Sequence, residues 1–108
     1  MYTLELTNPK TKEVTTHTKD WVSAKNLITA LKMQNEVHES ELESAMALVD
    51  FVANLFGIKS DEILEGIQAH DLMKRMYEIY YKVLGYTEKK AQRLIQIMQD
   101  VEMEEELD

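Results

Sequence analysis

Cysteine is absent from this chain of 108 residues, glycine occurs only three times and proline once. Without a thiol there is no disulfide scaffold and no thiol chemistry, a usage that suits a reducing cytoplasm. The few glycines leave no glycine-rich phosphate loop, and no serine stands in a nucleophile elbow. Basic charge is scarce: 12 Lys and Arg against 20 Asp and Glu give a formal net charge of -8 at pH 7. Nucleic acid and anionic lipid attract proteins through a basic footprint, so neither is expected as a partner. Asp50 interrupts the one long apolar stretch well short of a membrane span, and Met1 to Lys12 lacks the apolar run of a signal peptide. The expected location is the cytoplasm.

What the chain does contain is 44% apolar and 30% charged residues, ordinary for a globular protein. Its length suits one core and is too short for two, which predicts a single domain over residues 1–108. Within it we expect a β-hairpin over 1–19, a helical core over 20–101 and an acidic, frayed tail over 102–108. The fold class is mainly α, with about four to five helices and a short amino-terminal hairpin.

The hairpin follows from alternation. Tyr2, Leu4 and Leu6 alternate with Thr3, Glu5 and Thr7, and Val14, Thr16 and Thr18 with Thr15, His17 and Lys19, which is strand spacing. Asn8, Pro9, Lys10 and Thr11 between them have turn chemistry. From Asp20 onward the period becomes helical. Asp20 is a candidate cap for a first helix with Val22, Ala24, Leu27, Ile28 and Leu31 on its inner side. Ser40 followed by Glu43 is a capping box opening a second helix, and Gly57 is placed to close it. Ser60, Asp61 and Glu62 start a short third helix through Ile63, Leu64 and Ile67. A fourth, from about His70 to Leu84, places Leu72, Met73, Met76, Ile79, Tyr80, Val83 and Leu84 on one face. On its wet face Asp71 and Arg75, Lys74 and Glu78, and Glu78 and Lys82 stand four residues apart. Gly66 and the Ala69–His70 region are weak breakers, so the third and fourth helices read either as two elements or as one bent one. Thr87 caps a last helix with the narrow seam Ala91, Leu94, Ile95, Met98 and Val101. The acids from Glu102 to Asp108 crowd its negative end, which predicts fraying.

No catalytic or cofactor site converges from these elements. His17, His38 and His70 fall in three different elements without the paired spacing of a zinc site, so no metal is expected. The second and third helices, joined through Gly57, Ile58 and Lys59, imitate a helix-turn-helix, but Asp61, Glu62 and Glu65 would then face the phosphates, and charge rejects that reading. Met46, Met73, Met76 and Met98 read as adaptable core filler.

The sharpest feature lies between Leu42 and Phe56. Projected at about 100° per residue, Glu43, Ala47, Asp50 and Asn54 share one stripe roughly 40° wide. Leu42, Ala45, Met46, Val49, Val52, Ala53 and Phe56 form a broad apolar face on one flank. Leu48, Phe51 and Leu55, with Ser44 in line, form a second ridge on the other. One core has difficulty using both: either the remaining helices wrap the whole of it, or one ridge meets another subunit or a client, which makes Leu48, Phe51 and Leu55 the candidate partner-binding residues. A hairpin with few partners of its own points the same way, to a homo-oligomer.

The order of hairpin, connecting helix, the run from Ser40 through Gly57 and the run from Ser60 through Ile67 resembles the tail assembly chaperones of long-tailed bacteriophages and prophages. The resemblance covers roughly Tyr2 to Gly85 and rests on pattern, size and acidity, with no signature motif and no catalytic residues to carry over. It implies a mostly helical, self-associating, non-enzymatic protein without cofactors. Such a protein coats the aggregation-prone tape measure protein until tail tube protein polymerises around it, acts in the host cytoplasm and is absent from the finished virion. A longer frameshifted product accompanies many members. The alternative from the same features is a structural adaptor such as a head-tail connector component, which stays in the particle.

Overall fold

The amino-terminal alternation closes into two antiparallel strands, β1 (Tyr2–Thr7) and β2 (Val14–Lys19), in a register that sets Tyr2 opposite Lys19 and Thr7 opposite Val14. In this computed structural model the described residues are 1–107 for the backbone and 1–100 for side chains. The turn is held by Asn8, whose Oδ1 accepts from the amides of Lys10 (2.9 Å) and Thr11 (3.3 Å). Side-chain acceptance of this kind is why Asn favours turns. Leu4 and Leu6 are buried while β2 stays almost entirely wet, so the hairpin leans on the rest of the chain through β1 alone.

Five helices follow among the described residues: α1 (Ala24–Asn35), α2 (Glu41–Phe56), α3 (Ser60–Gly66), α4 (Ala69–Val83) and α5 (Glu88–Leu107). Helix accounts for 63% of the chain, so the fold is mainly α with an amino-terminal hairpin. Ser40 caps α2 by accepting from the Glu43 amide at 3.1 Å, and Glu43 reaches back to the Glu39 amide at 2.9 Å. Gly57, left-handed at φ 70°, ends α2, and the Ile58 amide bonds the Ala53 carbonyl at 3.0 Å. That is the positive-φ closure for which glycine is best suited. Thr87 caps α5 as expected, accepting from the Lys90 amide at 3.2 Å.

The third and fourth helices are separate. Ile67 and Gln68 are extended between them, and Gly66 stands at the break. A Cβ there would lie 2.8 Å from the Leu6 Cβ, so the backbone at the end of α3 is pressed against β1. The three opposite-charge pairs expected on α4 are not closed to within 4.0 Å, in keeping with the small gain from surface pairs.

Two expectations about α1 are overturned. Its N-cap is Ser23, not Asp20, with the Asn26 side chain donating to the Ser23 hydroxyl at 3.2 Å. Its inner side differs in part: Val22 and Leu27 are half-buried as expected, but Ala30 is fully buried and Met33 packs against the core, whereas Ala24, Ile28 and Leu31 are exposed. The physical reason is close approach. The Tyr80 hydroxyl of α4 donates to the Ala30 carbonyl at 2.8 Å, and a small residue at the contact lets the two helices meet.

The core gathers β1, α2, α3 and α4 around Leu4, Val49, Val52, Ile63 and Met76, all at most 1% exposed. Against α4, α5 lays Ala91 and Ile95, with Leu94 and Met98 half-buried. Val101 and the acids of the expected tail lie outside the residues whose side chains are described, although the backbone of α5 is helical to Leu107.

Candidate functional site

Leu48, Phe51 and Leu55 are 5%, 5% and 4% exposed, and all three belong to the same buried cluster as Val49 and Val52 on the opposite flank of α2. Phe51 meets the Tyr80 ring edge-on at 5.8 Å between centroids. The chain therefore covers both flanks itself, and the three candidates present no open surface. Of the two readings of this helix, the burial fits the wrapping one: α3, α4 and β2 pack against α2, which is greasy on both sides. The polar stripe is as expected: Glu43, Asp50 and Asn54 are exposed, and the Asp50 carboxylate accepts from the Ser60 hydroxyl at 2.5 Å.

The exposed apolar side chains lie elsewhere. Trp21 is 79% exposed, Val37 95% and Leu42 73%, with Ile28 and Leu31 on α1 about half exposed. Leu42 was expected in the core, but it sits in the first turn of α2, beyond the reach of the covering elements. Met1, Val14 and Ile97 are exposed as well, at the amino terminus, on β2 and on α5. Large apolar groups outside a fold mark contact sites more often than decoration when they cluster on one element.

The titratable groups do not converge. His17 is half-buried on β2 opposite Leu4. His38, between α1 and α2, lies 3.8 Å from Glu36, and His70, in the first turn of α4, 3.5 Å from Asp71. No group of three or more His, Cys, Asp or Glu able to hold a metal occurs among the described residues. A cleft of 340 Å³ between β1, α4 and α5 is lined by Tyr2, Glu78, Lys82 and Tyr86. Lys82 lies over the Tyr2 ring at 4.8 Å and donates to the Met1 carbonyl, so its charge holds the amino terminus in place.

The aromatic groups form a ladder along α4. Tyr77 stacks on Tyr81 at 5.5 Å and Tyr81 on Tyr86 at 5.6 Å. Burial, with smaller contributions from the neighbouring phenols, pushes the Tyr80 and Tyr81 hydroxyls above the ordinary value of 10.0. Both therefore stay neutral donors: Tyr80 to Ala30, and Tyr81 to the Met98 sulfur at 3.9 Å. This is structural chemistry that binds α1 and α5 to α4.

No helix among the described residues is long and apolar enough to cross a membrane. No curated protein and no solved structure matches the chain. Residues 1–106 match the family model described as phage tail chaperone protein.

Proposed function

Since the chain belongs to the phage tail chaperone family, we propose that it binds the tape measure protein, keeps that client soluble and assists tail tube polymerisation around it. The observation that supports the reading is that Trp21, Ile28, Leu31, Val37 and Leu42 stand outside the core of a chain with net charge -8. Exposed apolar groups engage an apolar client, and a large net charge of one sign keeps the resulting complex dispersed. The protein acts as a single domain and as a homo-oligomer, without catalysis or cofactor, in the host cytoplasm. It leaves before the particle is complete.

Leu48, Phe51 and Leu55 reach a client only if the helices over them part. We therefore assign the contact to side chains that are already outside. The test is coexpression with the tape measure protein encoded in the same tail gene cluster. With this chain present, the client should appear in the soluble fraction and co-purify with it, and purified particles should contain none of the chain. A client equally soluble without it refutes the chaperone reading. Stoichiometric recovery of the chain from particles favours the structural adaptor.

A further inference from the structure

Ala24, Ile28 and Leu31 recur at intervals of four and three residues, the spacing of a helix–helix seam, and all face away from the core. Trp21, the only tryptophan, stands exposed at the amino end of the same helix. Lys25 and Lys32, seven residues apart, lie on one flank of the seam about 60–100° round from its centre at 100° per residue. No carboxylate occurs between Trp21 and Asn35, and neither lysine has one within 4.0 Å. In a chain with 20 acidic and 12 basic residues, this is an apolar stripe with two unpaired cations beside it.

We infer that the outer face of α1 is a docking seam for an amphipathic helix of the client whose apolar stripe is flanked by carboxylates at seven-residue spacing. The apolar groups supply contact area, and Lys25 and Lys32 set register and partner sign. A second copy of α1 is the poorer occupant, because two-fold antiparallel pairing sets the lysine flank against itself. The inference rests on the client-binding reading above, and it fixes which surface and which partner chemistry are used.

Two synthetic helical peptides of about four heptads each, with leucine seams, test it. One carries Glu on both flanks of the seam and the other Lys. Binding is read by anisotropy of a labelled peptide, and the site by Trp21 emission. The Glu-flanked peptide should bind and shift Trp21 emission to shorter wavelength, with the Lys-flanked peptide weaker by about tenfold or more. Lys25→Glu with Lys32→Glu should reverse that preference. Ile28→Ser with Leu31→Ser should weaken binding by about tenfold while keeping the helical circular dichroism and a cooperative melt, because both side chains are already half in water. Equal binding of both peptides, a static Trp21 signal or unaltered binding by the serine variant overturns the inference. So does sedimentation showing a dimer that excludes the peptide and is lost in the serine variant. If the serine variant still holds the tape measure protein as well as the unaltered chain does, this seam is wrong and the chaperone reading stands. If the peptides behave as expected but the unaltered chain does not solubilise the tape measure protein, the reverse holds.

Discussion

At Gly66 the absence of a side chain is itself the requirement. The Leu6 Cβ is the nearest atom to where a Cβ would stand, at 2.8 Å, and a Cβ cannot swing aside as the tip of a long side chain can. Gly66→Ala should therefore force β1 away from α3 and lower stability by about 1–3 kcal/mol, read by urea unfolding. An unchanged midpoint would mean that the hairpin yields freely. Tyr80 gives a second test. Its folded-state hydroxyl titrates above 10.0, so the folded chain holds the proton more tightly than the unfolded one. That contribution is complete below pH 10 and is lost as pH rises through the raised value. Unfolding free energy should fall from about pH 10 upward, more shallowly in Tyr80→Phe. At neutral pH that variant should cost about 0.5–1.5 kcal/mol for the bond to the Ala30 carbonyl. An alkaline slope identical in both proteins would rule out Tyr80 as its source.

Among the elements, α2 is covered on both flanks and α1 carries half-exposed apolar side chains. Burial at Phe51 places its flank inside, so Phe51→Glu should abolish helical circular dichroism. Removing a buried Phe side chain alone costs about 3–5 kcal/mol, and an unpaired buried charge adds to that. A folded Phe51→Glu that merely fails to assemble would restore the interface reading. Helix positions were legible because caps are local: Ser40 with Glu43, Gly57 and Thr87 act within a few residues. The rotation of α1 was not legible, because it depends on a partner fifty residues away. Its apolar periodicity pointed Ile28 and Leu31 inward, yet the contact with Tyr80 is made at Ala30, and those two side chains stand about half exposed. Periodicity alone likewise could not choose between an internal and an interfacial ridge at Leu48, Phe51 and Leu55, since the number of elements that wrap a helix is a tertiary fact. The resemblance to tail chaperones was legible without either, because it rested on element order and acidity.

For the whole molecule, the last described side chains that anchor α5 are Ile95, 3% exposed, and half-buried Met98. Removing residues 102–108 should shift the melting temperature by less than about 5 °C, since roughly 1 kcal/mol separates that shift from none in a domain of this size. A larger fall would show that the terminus is docked. Light scattering at tens of micromolar should return a mass above one chain that rises with concentration, and a constant monomer mass would refute self-association.

The clasp between the amino terminus and α4 also fixes an order of events at the ribosome. The Tyr2 hydroxyl donates to the Lys82 carbonyl at 3.5 Å across 80 positions of sequence. At about 5–20 residues per second, that separation corresponds to roughly 4–16 s of translation. From the completion of β2 at Lys19 until α3 is made at Ser60–Gly66, the hairpin has no helix of the core against which to seat Leu6, and two strands alone are marginal in water. The first element to be synthesised thus waits for α3, and a nascent chain stalled before Ser60 carries its amino-terminal strand undocked.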